Sequence, residues 1–266
     1  MAQSIVNLTP LSGGITIRRI PLDAPWYWLA AGWRDLWTAP HISIGYGVLF
    51  ALIGLGLTVG LTEVGWLALM LPLAGGFLLV GPVVAVGLYE VSRRIERGET
   101  VELRDVVNAM RNAPGQVRFF GAVLGFAFFV WGNLAFTLLM SFLGTTGVPP
   151  LSEVVPTLLF TPQGLGLLVV GTVVGGILAS IIYAISAISV PLLMTREVDV
   201  VTAMLASLEA VLENPLPMAL WGALIAGFIL LGILTVFVGF VVAFPLIGHA
   251  TWHAFRDIVV DTSVSS

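Results

Sequence analysis

The sequence predicts an all-α polytopic membrane protein: six transmembrane helices in three hairpin repeats, with amphipathic helices on the cytoplasmic surface. Three observations carry this. Of 266 residues, 58% are hydrophobic and only 10% are charged, where a soluble domain has about 25% charged residues. Uncharged apolar runs recur at the length of a bilayer span, about 20 residues. All eleven basic residues are Arg, and all fall on one side of those runs.

The composition also excludes. There is no Cys, so a disulfide scaffold, a Cys-ligated metal site and a thiol enzyme are ruled out. A formal charge of -4 with no Lys gives nucleic-acid binding no support. The apolar runs do not alternate with period two, so a transmembrane barrel is rejected.

Residues 1–22 form a cytoplasmic N-terminal tail without the apolar core of a signal peptide, so no cleavage is expected. An interfacial helix follows over 24–38. Asp23 can cap it and Pro25 suits its first turn. Trp26, Leu29, Trp33, Leu36 and Trp37 share one face at helical spacing. Trp26, Trp28, Trp33 and Trp37 are read as interfacial anchors, because Trp prefers the headgroup layer. Arg34 and Asp35 are expected to face water. Spans one and two cover 41–61 and 64–91. A second interfacial helix covers 100–113, capped by Thr100, with Leu103, Val106, Val107 and Met110 apolar and Arg104, Asn108 and Arg111 towards water. Span three covers 119–143. An extended outer loop, Gly144 to Gly164, holds Pro149, Pro150, Pro156 and Pro162. Span four covers 165–194. A third interfacial helix, 200–213, carries the acidic pair Glu209 and Glu213. Anionic headgroups would repel that pair, so this helix is expected to dock on protein, against the Arg-rich second connection. Leu216 to Phe255 holds no charge. As one helix it would be about 60 Å long, so it divides into spans at 216–234 and 237–255, turning between Gly232 and Gly239. The membrane domain closes at 258, and residues 259–266 form a C-terminal tail.

Orientation follows from Arg. Arg18, Arg19 and Arg34 precede the first span. Arg93, Arg94, Arg97, Arg104, Arg111 and Arg118 lie between the second and third, Arg196 between the fourth and fifth, and Arg256 after the last. The opposite connections carry only Glu63 and Glu153. Both termini are therefore expected in the cytoplasm, with the chain multi-pass in a cytoplasmic membrane.

The repeat aligns Pro40, Pro114 and Pro215. Each follows an amphipathic stretch and each is followed seven residues later by a glycine: Gly47, Gly121 and Gly222. The return helices share a proline, Pro82, Pro191 and Pro245. Such prolines kink a helix and free a carbonyl; they serve either packing, the better account, or a cavity.

The segments Ala31-Gly-Trp-Arg-Asp-Leu, Ile44-Gly-Tyr-Gly, Val80-Gly-Pro, Tyr89-Glu-Val-Ser-Arg-Arg and Phe244-Pro-Leu-Ile-Gly-His-Ala-Thr-Trp-His-Ala-Phe-Arg-Asp resemble a bacterial integral membrane family, the domain of unknown function 2189. The resemblance covers roughly residues 18 to 258. It implies a protein of the bacterial inner membrane and carries no established activity.

Chemistry is sparse. Counting from Pro82 and Pro245, Glu90 aligns with His253 and Arg93 with Arg256. Glu90, Arg93, His249, His253 and Arg256 therefore form a candidate polar cluster at the cytoplasmic end. Snorkelling of each residue to the headgroups is the competing account. His249 and His253, at i and i+4, could share one metal ion, but hydrogen bonding at the helix end explains them better, and no metal or other cofactor is assigned. The membrane interior holds only uncharged polar groups, among them Asn133, Thr137, Ser180, Tyr183, Ser186 and Ser189. That argues against ion-coupled transport, which usually needs carboxylates there. The leading expectation is a non-enzymatic scaffold or accessory protein that binds membrane lipid or a partner membrane complex. A small-solute or lipid transporter stands second, favoured if a polar cavity runs from Glu90 towards Asn133. A metal- or haem-associated auxiliary protein of a respiratory complex stands third.

Overall fold

A computed structural model describes residues 15–144 and 151–261. Residues 1–14 of the expected tail 1–22, residues 262–266 of the expected tail 259–266, and Pro149 and Pro150 of the outer loop lie outside the described residues. The elements run in order as β1 (Ile15–Ile17), α1 (Ala24–Thr38), α2 (Pro40–Glu63), a short 3-10 turn (Leu67–Leu69), α3 (Met70–Val84), α4 (Val86–Glu96), α5 (Leu103–Arg111), α6 (Gly115–Leu143), α7 (Leu151–Phe160), α8 (Pro162–Ser186), α9 (Ser189–Thr195), α10 (Val200–Glu213), α11 (Pro215–Leu234), α12 (Phe240–Ile258) and β2 (Val259–Asp261). Among the described residues, five stretches are long and apolar enough to cross a membrane: Pro40–Glu63, Pro72–Glu96, Gly115–Leu143, Pro162–Thr195 and Pro215–Leu234. The protein is thus an all-α polytopic membrane protein.

Proline punctuates the chain as its missing N–H and fixed φ require. The long helices α2 and α11 begin on Pro40 and Pro215, and α6 begins just after Pro114. Each follows a shorter helix, α1, α5 or α10. Between α11 and α12 the chain turns within 235–239, with Val236 and Phe237 at positive φ.

The residues divide into two compact units. The first comprises Met1–Ala51, Pro82–Phe120 and Ala184–Ser266, and the second Leu52–Gly81 and Gly121–Tyr183. All eleven Arg belong to the first, whereas the only charges in the second are Glu63 and Glu153.

In the first unit α12 is an interior helix, with fourteen of its nineteen residues buried. Its closest neighbour is α1. There a β-carbon on Gly32 would stand 2.6 Å from the backbone nitrogen of Ala250, so only glycine permits the approach. An aromatic ladder adds to this core: Phe240 stacks on Phe244 at 5.4 Å, and Phe244 meets Phe50 at 4.7 Å and Tyr46 at 6.0 Å. Such offset contacts stabilise beyond simple area burial.

In the second unit Trp131 of α6 is the wedge. Its indole N–H donates to the carbonyl of Pro72 at 2.6 Å, and its ring lies against Gly75 of α3 and Gly175 of α8. Phe128 fills the space over Gly76. Gly125 of α6 and Gly171 of α8 instead face open space.

Several expectations are corrected. The outer segment is not all loop: α7 occupies Leu151–Phe160 with Pro156 inside it, and a single residue, Thr161, separates it from α8. The Thr161 hydroxyl accepts the backbone N–H of Gly164, so it caps α8 in place of a longer linker. Thr100 does not cap α5. Glu102 does, in a capping box with Asp105. Asp23 stands at the cap position of α1 but makes no side-chain cap bond. Segments of both expected tails also take part in a strand pair. Ile15–Ile17 pairs antiparallel with Val259–Asp261. The Asn214 amide holds the segment after β1, accepting from the Ile20 N–H at 2.8 Å and donating to the Arg18 carbonyl at 3.1 Å.

Candidate functional site

Polar side chains of the first unit gather where α12 meets α1, α2 and α4. The amphipathic pattern of α1 is two-sided. Trp26, Trp33 and Trp37 share an exposed face, and the indoles of Trp33 and Trp37 meet edge to face at 5.6 Å. The opposite face turns inward and carries Trp28, Gly32, Asp35 and Leu36. Three assignments therefore change. Trp28 is not an interfacial anchor: it is 2% exposed, donates to Asp257 at 3.0 Å and packs edge-on against Trp221. Asp35 does not face water, because it is buried against His253. Leu36 is fully buried rather than lying on the Trp face. The sequence alternates two apolar faces on this helix, and composition alone does not say which one meets protein.

His249 is fully buried. One ring nitrogen, Nε2, lies 2.9 Å from the Ser43 hydroxyl of α2, and the other, Nδ1, lies 2.8 Å from the Ser92 hydroxyl of α4. Both serines are fully buried as well. A neutral imidazole has one donor and one acceptor nitrogen, so one serine donates to the ring and the other accepts from it. The arrangement ties three helices through one side chain and uses both positions through which a metal could bind. His253 Nε2 donates to Asp35 at 2.8 Å. Among the described residues no group of three His, Asp or Glu side chains is arranged to hold a metal ion.

Glu90 is 4% exposed and anchors a separate network. It accepts from Arg93 at 2.7 and 2.9 Å and from Arg94 at 2.9 Å. Arg94 continues to Asp105 at 3.3 Å and Glu99 at 3.6 Å, fastening α4 to α5. Arg256 instead bonds Glu96 at 2.8 Å, beside the indole of Trp252 on the same carboxylate at 3.0 Å. Of the five residues grouped from the sequence, Glu90 and Arg93 are brought together. His249, His253 and Arg256 each take another partner.

The proline positions differ in effect. At the α3–α4 break, after Pro82, the Leu88 N–H bonds Ala85 instead of Val84, and the Val84 carbonyl accepts the Tyr46 hydroxyl. The α8–α9 break falls at 187–188, just before Pro191. There the Ser189 hydroxyl reaches the carbonyls of Ile185 and Ala203. Through Pro245, α12 runs unbroken.

Of the acidic pair of α10, Glu213 meets the N-terminal segment and not the second connection, binding Arg19 at 2.8 Å. Burial, and then the neighbouring Glu213 carboxylate, push the Glu209 carboxyl above its usual range. Asp199, which caps α10, is held low by the Thr202 N–H and hydroxyl it accepts.

The residues that sequence reasoning missed are the partners. Ser43 and Glu96 lie outside the family-like segments, Asp35 and Ser92 lie inside two of them without a marked role, and only their place opposite α12 gives each its partner.

No curated protein and no solved structure matches the chain. The motifs at Val80 and Tyr89 fall within the stretch that a family model covers, and those at Ala31, Ile44 and Phe244 fall outside it. Residues 69–195 match the model of DUF2189, described as a predicted integral membrane protein, the family that the sequence resembles.

Proposed function

We propose that the protein is a non-enzymatic scaffold or accessory protein of the bacterial inner membrane, binding lipid or a partner membrane complex. In this reading α12 is the sixth span, three hairpin repeats make up the chain, and both termini are cytoplasmic. The segregation of every Arg into the first unit supports that orientation.

One observation carries the functional reading. Among the described residues, every buried side-chain nitrogen and oxygen has a hydrogen-bond partner. His249, His253, Ser43, Ser92, Asp35 and Glu90 of the first unit are all occupied by partners within the fold, as a framework requires, while the exposed side of α1 is aromatic. That combination suits a surface that binds rather than a site that reacts.

The test is affinity isolation of the chain from native membranes in mild detergent. Co-purification of a defined membrane complex supports the accessory reading. Recovery of the chain with lipid alone removes the complex and leaves lipid binding.

A further inference from the structure

The three short helices that precede Pro40, Pro114 and Pro215 differ in charge, and the difference distinguishes α5. This helix exposes Leu103, Val107 and Met110 at i, i+4 and i+7, an apolar stripe whose edge, at Val106, is buried against Gly87 of α4. Its acids are engaged. Glu102 pairs with Arg104, and Asp105 pairs with Arg94 and closes the capping box. Arg111 at the end of α5 and Arg118 in the first turn of α6 are both exposed, and neither has an acidic partner among the described residues. Phe119, beside Arg118, is 60% exposed. The elbow between α5 and α6 thus presents two uncompensated guanidinium groups next to apolar side chains, where a long apolar helix begins. The other two short helices differ: α10 carries Glu209 and Glu213, and α1 sets a single exposed arginine, Arg34, beside its exposed tryptophans rather than two at an elbow.

We infer that the α5–α6 elbow binds the headgroup of an anionic phospholipid. Arg111 and Arg118 hold the phosphate, and Val107, Met110 and Phe119 lie against its acyl chains. Guanidinium groups recognise phosphate through several N–H donors. Basic residues beside an apolar helical face are the expected reader of an anionic leaflet. The inference rests on the lipid-binding part of the proposed function and names its lipid.

The test incubates the full-length chain in detergent with equal amounts of phosphatidylglycerol and phosphatidylcholine, and counts retained lipid by native mass spectrometry. The wild type retains phosphatidylglycerol preferentially. The double variant Arg111→Gln, Arg118→Gln loses that preference by about thirtyfold, from the effect of two basic residues at an anionic surface. Arg111→Lys with Arg118→Lys keeps most of it, and Arg97→Gln, at an exposed residue beside Glu99, keeps all of it. Raising the salt concentration weakens the wild-type preference, a readout that stands if the glutamine variant does not fold. Millimolar inorganic phosphate leaves the preference intact. Abolition by phosphate makes this a free-anion site and overturns the inference. Full retention by the glutamine variant, or a salt-independent preference, overturns it too. A wild type that keeps lipid without preference overturns this inference alone; one that keeps no lipid removes the lipid-binding reading as well.

Discussion

The carbonyl oxygen of Val241 occupies the place where a β-carbon on residue 47 would stand. Val241 lies four residues before Pro245, which has no N–H to offer it. The carbonyl that the proline frees is turned onto α2, and only glycine at position 47 leaves room. Gly47→Ala should therefore destabilise the protein by about 2–4 kcal/mol, as overpacking against rigid backbone does. Gly56→Ala is the control, since a β-carbon there meets nothing within 4 Å. Thermal unfolding in detergent, with both variants compared to wild type, checks this; equal melting temperatures for the two would refute it.

Replacing His249 removes both of its serine contacts at once. His249→Ala should cost about 2–4 kcal/mol, because two buried hydroxyls lose their partner and a cavity remains. Ser43→Ala with Ser92→Ala should cost less in the His249→Ala background than in wild type. A double-mutant cycle measured by unfolding tests the coupling, and additive losses would contradict it.

The tryptophans of α1 should report their two faces. With bilayers containing brominated lipid, replacing Trp26, Trp33 and Trp37 together by Phe should remove much of the fluorescence quenching. Trp28→Phe should leave quenching nearly unchanged but lower stability by about 1–2 kcal/mol, through the lost bond to Asp257. Strong lipid quenching assigned to Trp28 would contradict its inward position.

Glu209 gives a pH dependence with a definite sign. Its carboxyl is raised in the folded protein by burial and by Glu213. Its contribution to stability is therefore fully present below the ordinary carboxylate range and is lost as pH rises through the raised value. Glu209→Gln should stabilise at neutral pH by less than about 0.5 kcal/mol, a small figure because the residue is only partly buried and solvent screens its charge. The gain should vanish at pH 4. Melting curves at the two pH values decide it, and a gain at pH 4 equal to that at neutral pH would count against the assignment.

Much of the architecture was legible because its signals are local. Span length, proline at helix starts and the turn between α11 and α12 each depend on a few neighbouring residues. The candidate site was legible only in part. Glu90 and Arg93 meet because they are three residues apart on one helix. The partner of His253 lies 218 positions away and the serine partners of His249 lie 206 and 157 positions away, so no local pattern marks them.

By itself, then, the sequence determined that this is a helical membrane protein, where most of its long helices begin, and that its Arg residues are segregated. These follow from composition and periodicity, which any short window carries. Only the tertiary structure decided that Trp28 and Asp35 turn inward, that the strands near the two ends pair, that α7 forms among prolines, and that His249 joins α2, α4 and α12. The physical reason is that α1 is apolar on two faces and the polar groups are few. Which face is buried, and which polar group finds which partner, is set by close packing against α12.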